Sequence, residues 1–163
     1  MIQGPDQFAL ALRRLLEAQL ARAGQLADLL VRERQALESG QAADLDEVTS
    51  AKPGLLSELE QLGSEQRALL EQLEFESSPS GLRLALSWCD RNGVLEQLQQ
   101  DVIERISQCR ERNGQNGLMV QHRIGYVRRA LGALSGSDNS DALTYGRDGR
   151  QHGGLPSRLL ASG

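Results

Sequence analysis

Apolar residues recur every three or four positions through most of this 163-residue chain, and that spacing predicts long amphipathic helices. Phe8, Leu12, Leu15, Leu16, Leu26, Leu29, Leu30 and Leu37 set out a first helix over about 6–39. Ser39-Gly40 closes it, because glycine takes the left-handed turn that ends a helix. A second stripe of Leu45, Val48, Leu55, Leu56, Leu59, Leu62, Leu69, Leu70 and Leu73 predicts a helix over about 44–75. Asp44 and Glu47 there have the spacing of a capping box. Pro53 interrupts this helix at a cost of about 3 kcal/mol, which predicts a kink or break. The apolar phase continues past it, which favours a bend.

Ser77-Ser78-Pro79-Ser80-Gly81 reads as a loop, followed by a short helix over about 81–90 carrying Leu82, Leu86 and Trp88. After Asn92-Gly93 a longer stripe runs from Leu95 through Val102, Ile106, Cys109, Asn113, Asn116, Val120, Ile124, Val127 and Leu131 to Leu134. It predicts a helix over about 94–134, on the order of 60 Å long. The pattern stops at Ser135, and 135–163 reads as a flexible tail. Short connections between long helices favour antiparallel neighbours. The expected fold is all-α: an elongated antiparallel bundle of three long helices plus one short one, with coiled-coil-like packing, over 1–134.

Composition narrows the chemistry. Only 3% of residues are aromatic, so the core is aliphatic. The net charge is −4 and basic residues are mostly interleaved with acids, which argues against nucleic acid as partner. No apolar run reaches the length of a membrane span, and membrane insertion is not expected. Cys89 and Cys109 sit in helical patterns and read as small core residues. His122 and His152 lie in no metal-ligand spacing, and Glu71, Glu74 and Glu76 lack the loop geometry of a calcium site. Without a nucleophile elbow, phosphate loop or dinucleotide fingerprint, the chain is expected to have no catalytic residues, no metal and no cofactor.

The last helix holds the unusual features. Asn113 and Asn116 fall on its apolar stripe, where a buried Asn fixes register at a cost in stability. Gly114, Gly117, Gly125 and Gly132 each cost about 1 kcal/mol against Ala and soften this half. Gly117, Gly125 and Gly132 also share one sector, where a second helix can approach closely. Val120, Ile124, Val127, Leu131 and Leu134 then form a stripe fit for a partner's amphipathic helix, expected to be covered by the bundle near Val120 and uncovered toward Leu134.

The order of helices, the Leu-rich second helix around Lys52 and Leu55-Leu56, Asn113-x-x-Asn116-Gly117, and Thr144-Tyr145-Gly146-x-x-Gly149 together resemble the FlgN family of flagellar type III export chaperones. Pro53 beside Lys52 departs from the family pattern. The resemblance implies a cytoplasmic, non-enzymatic protein that binds C-terminal helical segments of the hook-associated proteins FlgK and FlgL. It would keep them from premature assembly or degradation and deliver them to the export apparatus. It further implies client contacts among Asn113, Asn116, Gly117, Val120, Ile124, Val127, Leu131 and Leu134, and makes Tyr145 a docking candidate for the export gate protein. A structural or adaptor coiled-coil protein that self-associates, for instance as a homodimer, is the competing expectation.

Overall fold

The computed structural model describes residues 4–134. The sequence-predicted tail, with Tyr145 and His152, lies outside them. The described residues form four helices and no strand: α1 (Pro5–Ser39), α2 (Ala42–Glu71), α3 (Pro79–Cys89) and α4 (Val94–Leu134). The chain divides into two units, Met1–Ile124 and Gly125–Gly163. The packing below concerns the first.

Local chemistry explains the helix ends. Pro5 stands in the first turn of α1, where its missing N–H costs nothing. Gly40 ends α1 at φ 77° and donates its N–H to the Ala36 carbonyl. The expected capping box at Asp44 is absent: Gln41 is the N-cap without a side-chain bond, and Asp44 lies in the first turn, favourable to the helix dipole. Helix α2 continues through Pro53, so the chain bends at most and does not break there.

That helix ends at Glu71, earlier than the apolar stripe suggests. Glu74 adopts the left-handed conformation (φ 59°) while its N–H donates to the Glu71 carbonyl and that of Phe75 to the Leu70 carbonyl. These paired bonds make a Schellman stop with Glu where Gly is usual. Leu73 and Phe75 therefore pack as part of the stop. Ser78 caps α3 by accepting from the Gly81 N–H at 3.1 Å, which starts that helix at Pro79. A Cβ at Gly81 would overlap the Glu76 carbonyl, so glycine is required at this tight corner. Asp90 caps α4 by accepting from the N–H groups of Val94 (3.1 Å) and Glu96 (2.8 Å).

Cross-helix bonds fix the directions. Gln19 pairs with Gln66, and Glu33 with Lys52, so α1 and α2 are antiparallel. Gln66 pairs with Gln99, and Lys52 with Asn113, so α2 and α4 are antiparallel too. Helices α1 and α4 consequently run parallel, as the bonds Cys109–Ala23 and Asn116–Leu30 confirm.

The core comes in two apolar blocks. One joins Phe8, Leu12 and Leu16 of α1 to Leu69, Leu70, Leu86, Leu95 and Val102. Its few aromatics gather at one end, where Phe8, Phe75 and Trp88 rings lie about 6 Å apart. The other block joins Leu26, Ala27, Leu30 and Cys109, with Leu55 and Leu59 against it. A ladder of Gln19, Gln66 and Gln99 links α1, α2 and α4, with bonds of 2.9 and 3.3 Å.

A stronger polar node follows. The Glu33 side chain is buried. It accepts from Lys52 Nζ at 2.6 Å on one oxygen and from Asn116 Nδ2 at 2.8 Å on the other. Asn116 Nδ2 also donates to the Leu30 carbonyl at 2.9 Å, and Lys52 Nζ to Asn113 Oδ1 at 3.0 Å. Every partner of the carboxylate comes from α2 or α4.

Two predictions follow from this core. In Lys52→Met the buried Glu33 carboxylate loses its counter-charge, and chemical denaturation should report a loss of about 3 kcal/mol. Adding Glu33→Leu should recover more than half of it, because an apolar pair needs no counter-charge. Both cysteines are buried, and both thiols have their pKa raised from the ordinary 9.0, burial being the largest cause. Asp90 adds to the rise at Cys89, whereas Arg105 and Arg112 oppose it at Cys109. Folding thus favours the neutral thiol. The contribution is complete below the unfolded thiol's pKa and is lost as pH rises through the higher folded values. Iodoacetamide at pH 8 should label native protein at least tenfold more slowly than protein in 8 M urea.

Candidate client-binding surface on the last helix

Helix α4 begins as a core helix and ends as a surface one. Leu95, Val102, Cys109 and Asn116 are its buried residues, at seven-residue intervals that keep one seam against the bundle. Val120, the next apolar position on that seam, is half-buried. Arg123 lies against the α1–α2 turn: its guanidinium would sit 3.0 Å from a Cβ at Gly40. Ile124 is 47% exposed, Val127 51%, Leu131 59% and Leu134 84%.

The geometry separates the sequence-predicted site residues into two sets. Asn116 is committed inside the bundle to Leu30 and Glu33, and Asn113 at its edge to Lys52. A client could engage Asn116 only by breaking a charge-assisted bond. Its position therefore answers the register role, and it is not a free contact. Ile124, Val127, Leu131 and Leu134 present exposed apolar side chains instead, with Val120 where the two stretches meet. Gly117 is exposed, and nothing lies within 4 Å of where its Cβ would be. A helix drawn close to that sector would meet backbone.

The charge pattern changes along the same helix. Glu96, Asp101, Glu104 and Glu111 punctuate its first part; from Arg112 to Leu134 there are four arginines and no acid. His122 is exposed. Among the described residues no group of three His, Cys, Asp or Glu side chains could hold a metal ion. None of the described helices is long and apolar enough to cross a membrane. What α4 offers is a row of branched aliphatic side chains at helical spacing, suited to burying the apolar face of another helix.

A profile described as FlgN protein matches residues 9–153, nearly the whole chain. The chain belongs to the FlgN family. Its function is that of a flagellar export chaperone for the hook-associated proteins FlgK and FlgL; the family is non-enzymatic and cytoplasmic. No curated protein and no solved structure matches the chain. For a FlgN chaperone, a last helix that carries exposed aliphatic residues at helical spacing is a coherent arrangement. The stripe changes character between Asn116 and Ile124, in line with the expected cover near Val120. The signals that could have located this change are the polar pair Asn113 and Asn116 and the loss of acids after Glu111.

Proposed function

We propose that Ile124, Val127, Leu131 and Leu134, with Val120 and the side-chain-free Gly117, form the surface on which the chaperone receives C-terminal helical segments of FlgK and FlgL. The observation that carries this reading is the exposure of four large aliphatic residues on one helical stripe continuous with the bundle seam. An exposed row of this kind has a cost in water that a client helix removes. Burying such a side chain contributes about 1.5–3 kcal/mol. Ordering and association costs offset much of the sum, leaving a complex in the micromolar to nanomolar range that can still release its client. Covering the client's own apolar face would keep it from premature assembly and from proteases until export.

Asn113 and Asn116 serve this surface indirectly: by locking the register of α4 they set where the open stretch begins. Tyr145, outside the described residues, is the proposed docking element for the export gate protein, as the family resemblance implies. The stripe also has the spacing of a homodimer seam, so sedimentation of the free chaperone belongs beside every binding measurement.

Val127→Asp/Leu131→Asp should weaken binding of FlgK and FlgL C-terminal fragments at least a hundredfold by titration calorimetry. These exposed substitutions should alter unfolding free energy by no more than about 0.5 kcal/mol. Unchanged affinity would remove the stripe from the binding surface. For the gate, Tyr145→Ala should leave client affinity within twofold while reducing secretion of FlgK and FlgL several-fold in cells; full secretion would contradict a docking role.

A further inference from the structure

A second surface lies on the body of the bundle, between α2 and α4. The backbones of these helices stand farther apart than those of α1 and α2, and are bridged by the polar pairs Gln66–Gln99 and Lys52–Asn113. Two open cavities of about 650 and 570 Å³ occupy the gap. Both are lined by Gly63 and Arg67, so they join into one groove. Gly63 contributes no side chain to fill it, and only the tip of Arg67 comes within 4 Å of where its Cβ would be. Along α2 the aliphatic lining of the groove extends from Leu56 to Leu70, about 21 Å at the rise of a helix. It is too long and too open to enclose a small molecule. It has the length of about four helical turns.

The lining is apolar with a basic edge. Leu56, Leu59, Leu70, Ile103 and Ile106 supply the aliphatic surface, and Leu56 and Ile103 are 44% and 58% exposed. Leu82 and Leu86 of α3 close one end. Arg110 stands toward the opposite end, and Arg67 and Arg83 line the part that α3 closes. None of these three arginines forms an ion pair with the described residues. Lys52 is the fourth cation of the lining; the acids are Glu60 and Glu96. A molecule of net charge −4 thus carries a groove whose lining is net positive.

We propose that this groove is a docking site for an amphipathic helix of about four turns from another protein. The helix places Leu, Ile or Val against Leu56, Leu59, Ile103 and Ile106, and carries Asp or Glu beside that face toward Arg110 at one end and Arg67 and Arg83 at the other. Its arrival adds a helix against α2 and α4 and removes Leu56 and Ile103 from water. The site is separate from the client stripe and stands whether or not that stripe binds client. Carboxylates beside the apolar face set the choice of partner, as charges flanking a helical seam do.

The test uses two fluorescein-labelled, helix-favouring 15-residue peptides with one leucine face, flanked by Glu in one and by Lys in the other. Fluorescence anisotropy with the full-length chaperone at low salt should show the Glu peptide binding at least tenfold tighter. Ile103→Glu should weaken the Glu peptide at least tenfold while the circular dichroism spectrum stays unchanged. Arg67→Glu/Arg83→Glu/Arg110→Glu should reverse the preference toward the Lys peptide, and that gain of binding cannot come from misfolding. Equal affinity for both peptides, or no binding of either, overturns the proposal. So does a loss of binding caused by Val127→Asp/Leu131→Asp and not by Ile103→Glu, which places the peptide on the client stripe. A dimer that Ile103→Glu dissolves in sedimentation gives the groove to a second copy. A tenfold gain in affinity on deleting 135–163 gives it to the chain's own C-terminal segment. Either result contradicts the assignment to another protein.

Discussion

The buried carboxylate of Glu33 is the constraint on which the rest of the bundle depends. An aliphatic three-helix seam of leucines is permissive: sliding one helix by a heptad against its neighbours returns similar packing. A carboxylate removed from water is not permissive, because its desolvation is offset only where Lys52 and Asn116 both reach it. One residue of α1 thereby requires a particular level of α2 and a particular level of α4. The glutamine ladder repeats the demand between the same three helices. With register fixed twice, Asn116 has one place against α1, and Arg123 reaches the α1–α2 turn at Gly40.

This arrangement separates stability from function along a single helix. Up to Asn116, the seam of α4 contributes buried area and specific hydrogen bonds. After Val120 the same periodicity continues with exposed residues that contribute little to folding. A chaperone gains from that division, since residues that bind a client must stay uncovered without weakening the fold that presents them. The cost is an exposed aliphatic row on the surface. The arginines and glycines around the row keep it short of a fully apolar surface.

The helices were largely legible in the sequence because Leu, Val and Ile at steps of three and four admit one reading over such lengths. Helix α4 was the plainest case, and Cys89 and Cys109 read correctly as core residues. What escaped was set by long-range partners. The end of α2 depends on Glu74 accepting a left-handed backbone that composition does not announce. Asp90, the cap of α4, reads in the sequence as the last residue of the short helix before it, and Asp44 only imitates a capping box. The stripe of α4 is half-buried at Val120 and exposed toward Leu134, in line with the expectation, although periodicity alone is the same for a seam facing its own bundle and one facing solvent. The groove between α2 and α4 is a property of helix separation, which no one-dimensional pattern encodes.

The central claim is that the last turns of α4, outside the paired seam, receive the client. Hydrogen exchange by mass spectrometry, comparing free chaperone with its complexes with FlgK and FlgL C-terminal fragments, tests it most directly. The account predicts added protection concentrated over 118–134, with amides of 8–37 in α1 changed little. Added protection spread evenly over α1 and α2, with 118–134 exchanging as fast as in the free protein, would contradict it.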